Sequence, residues 1–259
     1  MPVPAKLIDL LDTDQVPDPE SVSIDTGYVD LLPQSELRDA TARHQSLSQR
    51  TMEFPLLAPI YEHLWRPAGV LAFMGFNVKH FRTERDKTVR ALGLQPGSTV
   101  IDVACGPGNF TSRFAEAVSP DGVAVGVDVS VPMLRRAVRT NRHPNAVYVR
   151  ADGTQLPFGD GVFDAASCYA ALYLIPEPFR VVDELIRLVR PGGRISIMTS
   201  RASRYPVIKA GQKRILGATG LRMFELTDFT DYFQAQGLTD ISREVYGVVQ
   251  YVHATKPSN

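Results

Sequence analysis

The sequence predicts an α/β fold, a doubly wound and mostly parallel sheet of seven strands that ends in an antiparallel C-terminal hairpin. Apolar runs without polar alternation recur along the chain, and such runs are typical of strands buried on both faces. Segments with helical spacing separate these runs, and a crossover helix is what makes consecutive strands parallel. Glycine and proline turns mark the joins between the segments.

Five apolar runs predict the parallel strands: STVIDVA, VAVGVDV, NAVYVRAD, GVFDAASCY and RISIMTS. Helices are expected from Val78 to Leu92, from the glycine-rich turn to Ser119, from Val131 to Asn141 with Ser130 as N-cap, and from Glu177 to Arg190. The segment ELTDFTDYFQAQG predicts one more helix, and DISREVYGVVQYVHATK predicts two strands joined at Tyr246 and Gly247.

The chain divides into an arm, a cover and a main domain. Residues 1–53 are polar and contain proline, so they predict an irregular arm with little core of its own. Residues 54–77 are aromatic and interrupted by prolines, which predicts short helices that cover the main domain. The main domain spans residues 78–259 and includes a lid insertion at 201–223. The cover and the insertion favour an apolar or amphipathic small molecule, although they could equally serve only to cap the sheet.

Composition excludes several classes of partner. Lys+Arg and Asp+Glu each number 28, so the net charge is zero and no general basic field points to nucleic acid. The two cysteines form no CxxC pair, so we expect neither a metal site nor a disulfide framework. Since no apolar run of about 18 residues occurs, we expect no membrane insertion and a cytoplasmic location. The oligomeric state is left open.

The segment VIDVACGPGNF, residues 100–110, is the most informative part of the chain. A buried strand ends at Asp102, glycines follow at 106 and 108, and a helix begins. Glycine allows close approach of the backbone to a ligand beyond the carboxyl ends of the strands. A dinucleotide fingerprint needs a third glycine where this chain has Thr111, and Pro107 lacks an N–H. A nicotinamide cofactor is therefore disfavoured but not excluded by this loop.

Four segments resemble, in order and spacing, those of the class I S-adenosylmethionine (SAM)-dependent methyltransferases. They are DVACGPGN, VGVDVS, RADGTQLPF and LIRLVRPGGRISIM. The likeness is greatest to the type-11 subgroup, which includes quinone-biosynthesis methyltransferases, and it extends from Val78 to the C-terminus. It implies a Rossmann-like fold and SAM as cofactor. One departure is Ala104, which replaces the first of three glycines.

The resemblance assigns roles to individual residues. It implies that Asp102 fixes the amino end of the cofactor, that Asp128 accepts from the ribose hydroxyls, and that Asp152 accepts from the adenine amino group. Helix capping or loop solvation is the alternative for Asp128 and Asp152, and a structural role is the alternative for Asp102. The full expected cofactor site is Asp102, Ala104, Gly106, Pro107, Gly108, Asn109, Asp128, Val129, Met133, Asp152, Gly153 and Tyr169.

No strong base can be identified. Tyr169 and Tyr173 follow the fourth strand, where the resemblance implies the methyl-transfer site, and Tyr173 stands where many relatives have histidine. Ordinary packing is an equal alternative for both tyrosines. The histidines and Cys105 are expected to be structural, and LRRAVRTNRH is expected to be a solvated helix face.

The sequence therefore predicts a SAM-dependent methyltransferase that acts on a small, apolar or amphipathic metabolite. One alternative is methylation of ribosomal RNA. GYVDLLP, residues 27–33, resembles a segment of bacterial ribosomal RNA guanine methyltransferases, but the paired cysteines of those enzymes are missing here. The other alternative is a SAM-binding partner or regulatory protein without catalysis. The acceptor and the methylated atom are not determined.

Overall fold

A computed structural model describes residues 5–12, 14–16, 27–32, 78–203, 205 and 222–258 of the chain. The predicted cover at 54–77 lies outside the described residues. So does most of the predicted lid insertion at 201–223. The described residues therefore comprise most of the main domain and parts of the N-terminal arm.

Eight strands form one sheet in the order β1-β4-β3-β2-β5-β6-β8-β7. They are β1 (Val29–Asp30), β2 (Thr99–Val103), β3 (Val123–Asp128), β4 (Ala146–Arg150), β5 (Phe163–Tyr169), β6 (Val189–Ser200), β7 (Thr239–Tyr246) and β8 (Val249–Thr255). Strands β1 to β6 pair in parallel, and β8 pairs antiparallel with both β6 and β7. The predicted parallel sheet with a closing hairpin is confirmed.

Six helices are described, and most cross over between strands. They are α1 (Ala5–Ile8), α2 (Val78–Ala91), α3 (Asn109–Val118), α4 (Val131–Thr140), α5 (Pro178–Leu188) and α6 (Asp228–Ala235). Helix α5 ends before the Pro-Gly-Gly turn, which lies inside β6 and coincides with an irregular register against β5.

The order of the strands places a crevice above β2. From β2 the chain passes to β3 and β4 on one side, whereas β5 and β6 lie on the other side. In open α/β sheets, ligands bind outside the carboxyl ends of the strands at such a switch point. The loops after β2, β3, β4 and β5 therefore surround the candidate site.

Both faces of the sheet are buried, as the unbroken apolar strands predicted. On one face, Ile101 and Ile197 belong to a core cluster that also contains Leu185 of α5 and Phe229 of α6. On the other face, Val100 packs in a cluster with Phe114 of α3 and with Tyr169 and Tyr251. Burial on both faces holds the strand ends, and hence the loops of the site, in a rigid frame.

The N-terminal arm contributes to this core, which the sequence did not predict. Leu7, Leu10 and Leu11 are 0%, 8% and 6% exposed and belong to the larger core cluster. Val29 pairs with Val149, so the arm supplies β1 as an eighth strand where seven were predicted. The strand has only two residues, too few to produce a recognisable apolar alternation.

Among the described residues, the structure contains no helix with the length and apolar character needed to cross a membrane.

Candidate functional site

The loop between β2 and α3 forms the base of the candidate site. Ala104, Gly106 and Gly108 have φ angles of 57°, 55° and 79°, in the left-handed region. A Cβ atom at Gly108 would overlap the hydroxyl of Tyr148, so only glycine fits there. A Cβ at Gly106 would meet no atom of the described residues within 4 Å, so this part of the backbone faces open space. The loop therefore exposes bare backbone to a potential ligand.

Asn141, at the end of α4, holds this loop in place. Its Nδ2 donates to the carbonyl of Pro107 at 2.7 Å and to Oδ1 of Asn109 at 3.0 Å. The hydroxyl of Tyr148 donates to the Asn141 carbonyl at 2.7 Å. The sequence did not single out Asn141 or Tyr148, because they lie far from the glycine-rich segment along the chain.

Asp128 ends β3 and bridges two loops of the site. Its Oδ2 accepts the N–H of Gly106 at 2.8 Å, and its Oδ1 accepts the N–H of Ser130 at 2.8 Å. Burial raises the pKa of this carboxyl above its usual range. Beside it, the Ser130 hydroxyl is buried and has no hydrogen-bond partner among the described residues. Ser130 is the N-cap of α4 as predicted, but its side chain makes no capping bond there.

Asp102 is more deeply buried than the expected contact with a cofactor suggests. The residue is only 2% exposed, and its carboxylate accepts from Thr111 Oγ1 at 2.7 Å and from Ser167 Oγ at 3.0 Å. Burial raises the pKa of Asp102 to about 6. Thr111 stands where a dinucleotide fingerprint has its third glycine. Its hydroxyl thus donates a hydrogen bond to the Asp102 carboxyl. Gly126 makes room for it, since a Cβ there would lie 2.8 Å from Thr111 Oγ1.

The residues after β4 and β3 lie at the outer side of the site. Asp152 is exposed, and its Oδ1 accepts from the Thr154 N–H and hydroxyl, both at 2.8 Å. A Cβ at Gly153 would lie 3.0 Å from Val103 Cγ1, so its backbone packs closely on the end of β2. Val129 is 49% exposed, and Met133 is half-buried. Both can offer an apolar surface to a flat ring.

Tyr169 does not present its hydroxyl to the crevice. The residue is 6% exposed, and its hydroxyl donates to Ser196, which in turn lies 2.6 Å from Nδ1 of His253. Burial raises the pKa of Tyr169 and lowers that of His253. The aromatic ring of Tyr169 packs against that of Phe110, with 4.8 Å between the ring centroids.

Tyr173 lies further along the same loop and is half-buried against the larger core cluster. Its carbonyl accepts the N–H of Arg222 at 3.0 Å. This contact ties the end of the predicted insertion to the loop after β5. Tyr173 therefore lies at the edge of the site.

In the described part of the chain, neither the cysteines nor any cluster of metal-binding side chains offers further chemistry. Cys105 and Cys168 are free and buried, and burial raises the pKa of both thiols, so neither is an activated nucleophile. Among these residues, no group of three His, Cys, Asp or Glu side chains could hold a metal ion.

The known proteins that are similar to this chain are methyltransferases, as the sequence segments predicted. The family model described as a methyltransferase domain matches residues 100–193. A demethylmenaquinone methyltransferase of Shouchella clausii is 29% identical over 58% of this chain and 65% of its own length. An uncharacterised chloroplastic methyltransferase of Arabidopsis thaliana is 30% identical over 82% of this chain and 62% of its own length. The chain thus spans less than two thirds of the length of these relatives.

A solved structure supports the fold independently. Phosphoethanolamine N-methyltransferase 2 of Haemonchus contortus, in complex with SAM, has a TM-score of 0.63 over 83% of this chain and 61% of that chain, at 13% identity. The four sequence segments that carry the resemblance lie at β2, β3, β4 and β6, with their loops around the crevice described above. The chain therefore contains a methyltransferase domain at residues 100–193, for which S-adenosylmethionine is the cofactor, and it is similar to the quinone methyltransferases of class I.

Proposed function

We propose that the protein transfers a methyl group from SAM to a small, apolar or amphipathic acceptor in the cytoplasm, and that nucleic acid is not its substrate. The observation that carries this proposal is the joint geometry of Gly106 and Asp128. Backbone with open space beside it lies against a carboxylate at the switch point of the sheet. A long, polar cofactor with a ribose fits these groups.

The described residues offer a group for each part of SAM, which supports the proposal. Asp152 and Gly153 would receive the adenine, with Val129 and Met133 against its faces. Asp128 has lone pairs left for the ribose hydroxyls, and the buried Ser130 hydroxyl lies next to it. The open backbone at Gly106 would then receive the methionine part. The buried Asp102 would act on the amino end through the loop or through water.

Methyl transfer makes modest demands on the protein. Bound SAM supplies a methyl group on a positively charged sulfur, which is already a good leaving group. The residues of this chain would hold the acceptor in line with that methyl group and exclude water. Tyr173, at the edge of the crevice, is the candidate to orient a polar group of the acceptor. The names of the proteins similar to this chain make a reduced naphthoquinone the first acceptor to test.

Calorimetry tests the cofactor. The wild-type protein is titrated with SAM, with S-adenosylhomocysteine (SAH) and with NAD(H), and we expect micromolar binding of the first two only. Asp128→Ala should weaken SAM binding about 100-fold or more, because two hydrogen bonds to a charged group are lost. Asp160→Ala is the matched control, since its exposed carboxylate pairs with Arg187 instead. Binding of NAD(H) alone would refute the proposal.

Turnover tests the reaction. The protein is incubated with methyl-labelled SAM and a panel of reduced quinones, phenols and ribosomal RNA at several salt concentrations. Label transferred to a small aromatic acceptor supports the proposal. Label on RNA, with salt-sensitive binding, would support the RNA alternative instead. Tight SAM binding with no acceptor methylated across the panel would favour a regulatory SAM-binding protein.

A further inference from the structure

We propose that Phe110 and Tyr169 form an aromatic wall that binds the positively charged sulfur of SAM. This inference rests on the proposed function and assigns a role to Phe110, which neither the sequence nor the comparisons singled out. Its basis is the position of this ring pair along the path that the cofactor must follow.

The order of the strands fixes the direction of the cofactor. In the proposed function, adenine would lie at the end of β4, near Asp152, and ribose at the end of β3, where Asp128 is placed. The sheet continues from β4 and β3 to β2 and then β5. In SAM the sulfur follows the ribose and is separated from it by a single carbon. The sulfur must therefore lie above β2, on the side that faces β5.

The aromatic pair occupies this place. Phe110 is the second residue of α3, directly after the glycine loop, and Tyr169 is the last residue of β5. Their ring centroids are 4.8 Å apart with an interplanar angle of 33°. Phe110 is half-buried, so part of its side chain is left uncovered by the described residues. The two rings thus bridge the loop after β2 and the end of β5.

The second ring of the pair is held rigidly. The Tyr169 hydroxyl donates to the buried Ser196, and Ser196 is hydrogen-bonded to the half-buried His253. The next residue, Ala170, donates its N–H to the Met198 carbonyl at 3.0 Å. Tyr169 can therefore support Phe110 without rotating away when a ligand enters.

A ring face carries negative charge density and attracts a cation within about 6 Å of its centroid. SAM has a positive sulfur, whereas the product SAH has a neutral thioether. An aromatic wall therefore strengthens the binding of SAM but not of SAH. It favours the substrate over the product at the same site, and this difference can be measured.

The test is the ratio of the dissociation constants of SAH and SAM, measured by calorimetry. Phe110→Leu removes the ring and keeps an apolar side chain, and it should lower this ratio about 3- to 30-fold. Phe110→Tyr keeps a ring face and should preserve the ratio. Phe179→Leu is the matched control. Phe179 is also the second residue of a helix, is also half-buried, and has its ring centroid 4.7 Å from that of Tyr232.

The outcomes separate this inference from the proposed function. If Phe110→Leu binds SAM and SAH with the wild-type ratio, the aromatic wall is refuted while the cofactor assignment stands. If wild type binds neither compound, the proposed function itself fails. Phe110→Met serves as a second variant in case Phe110→Leu does not fold, and an unchanged ratio in that variant would equally refute the wall.

Discussion

We expect replacement of Asp102 by asparagine to change how the stability of the protein depends on pH. Relative to wild type, the variant should gain stability as the pH rises from acidic to neutral. The carboxyl is buried and has a pKa of about 6 in the folded protein, against 3.8 for an ordinary aspartate. The folded state therefore binds the proton more tightly than the unfolded state between these two values. The contribution of Asp102 to the free energy of unfolding therefore falls as the pH rises from about 4 to about 6.

The magnitude follows from the size of the shift. A pKa raised by about two units corresponds to about 3 kcal/mol of stability lost between pH 4 and pH 7. The carboxamide of the variant does not titrate, so the variant should escape this loss. The hydrogen bonds from Thr111 and Ser167 change as well, because a carboxamide has only one acceptor oxygen. That cost, about 1 kcal/mol, is the same at every pH and cancels from the comparison.

Urea denaturation followed by circular dichroism at several pH values between 4.5 and 7.5 measures the effect. The free energy of unfolding of Asp102→Asn minus that of wild type should rise by about 2–3 kcal/mol across this range. Thr111→Val should move the transition to higher pH, because the Thr111 hydroxyl lowers the pKa of Asp102. A difference between variant and wild type that stays constant with pH would refute the reasoning.

Three further changes test the loop and one tests the arm, each by chemical denaturation. Gly108→Ala should destabilise the protein by more than about 2 kcal/mol, since the new Cβ combines a left-handed backbone with overlap on Tyr148. Gly106→Ala should cost only about 1 kcal/mol of stability but should weaken SAM binding in calorimetry, because its Cβ enters the open crevice; unchanged binding would contradict the placement of the cofactor. Ala104→Gly should stabilise by about 0.5–1 kcal/mol by relieving a φ of 57°. Leu7→Ala should cost about 2–4 kcal/mol if the arm is part of the core, and no loss would show that it is not.

Much of the fold could be predicted because its signals are local. Each parallel strand of the main sheet is an apolar run such as VAVGVDV, and each has turn residues at its ends. The edge strand Val29–Asp30 could not be predicted, because only its pairing with Val149 and Arg150 makes it a strand. The burial of Leu7 and Leu11 depends in the same way on partners far along the chain.

The candidate site was predictable in its sequence segments but not in its contacts. The glycine loop is recognisable from its own residues, whereas the role of Asp128 was implied by the resemblance to the methyltransferases. The roles of Asn141 and Thr111 became visible only when the fold brought them against the loop. The orientation of Tyr169 also needed the structure, because the sequence places it at a strand end without showing that its hydroxyl donates to Ser196.

The pairing of β1 with β4 has a consequence for the order in which the protein assembles during synthesis. Asp30 and Arg150 form an ion pair at 3.0 Å although 120 residues separate them. At a synthesis rate of about 5–20 residues per second, the N-terminal segment emerges from the ribosome about 6–24 s before its partner strand. During that interval its buried side chains have no place to dock. This edge of the sheet can thus close only after β4 has been made, although its outer strand is the first of the eight described strands to be synthesised.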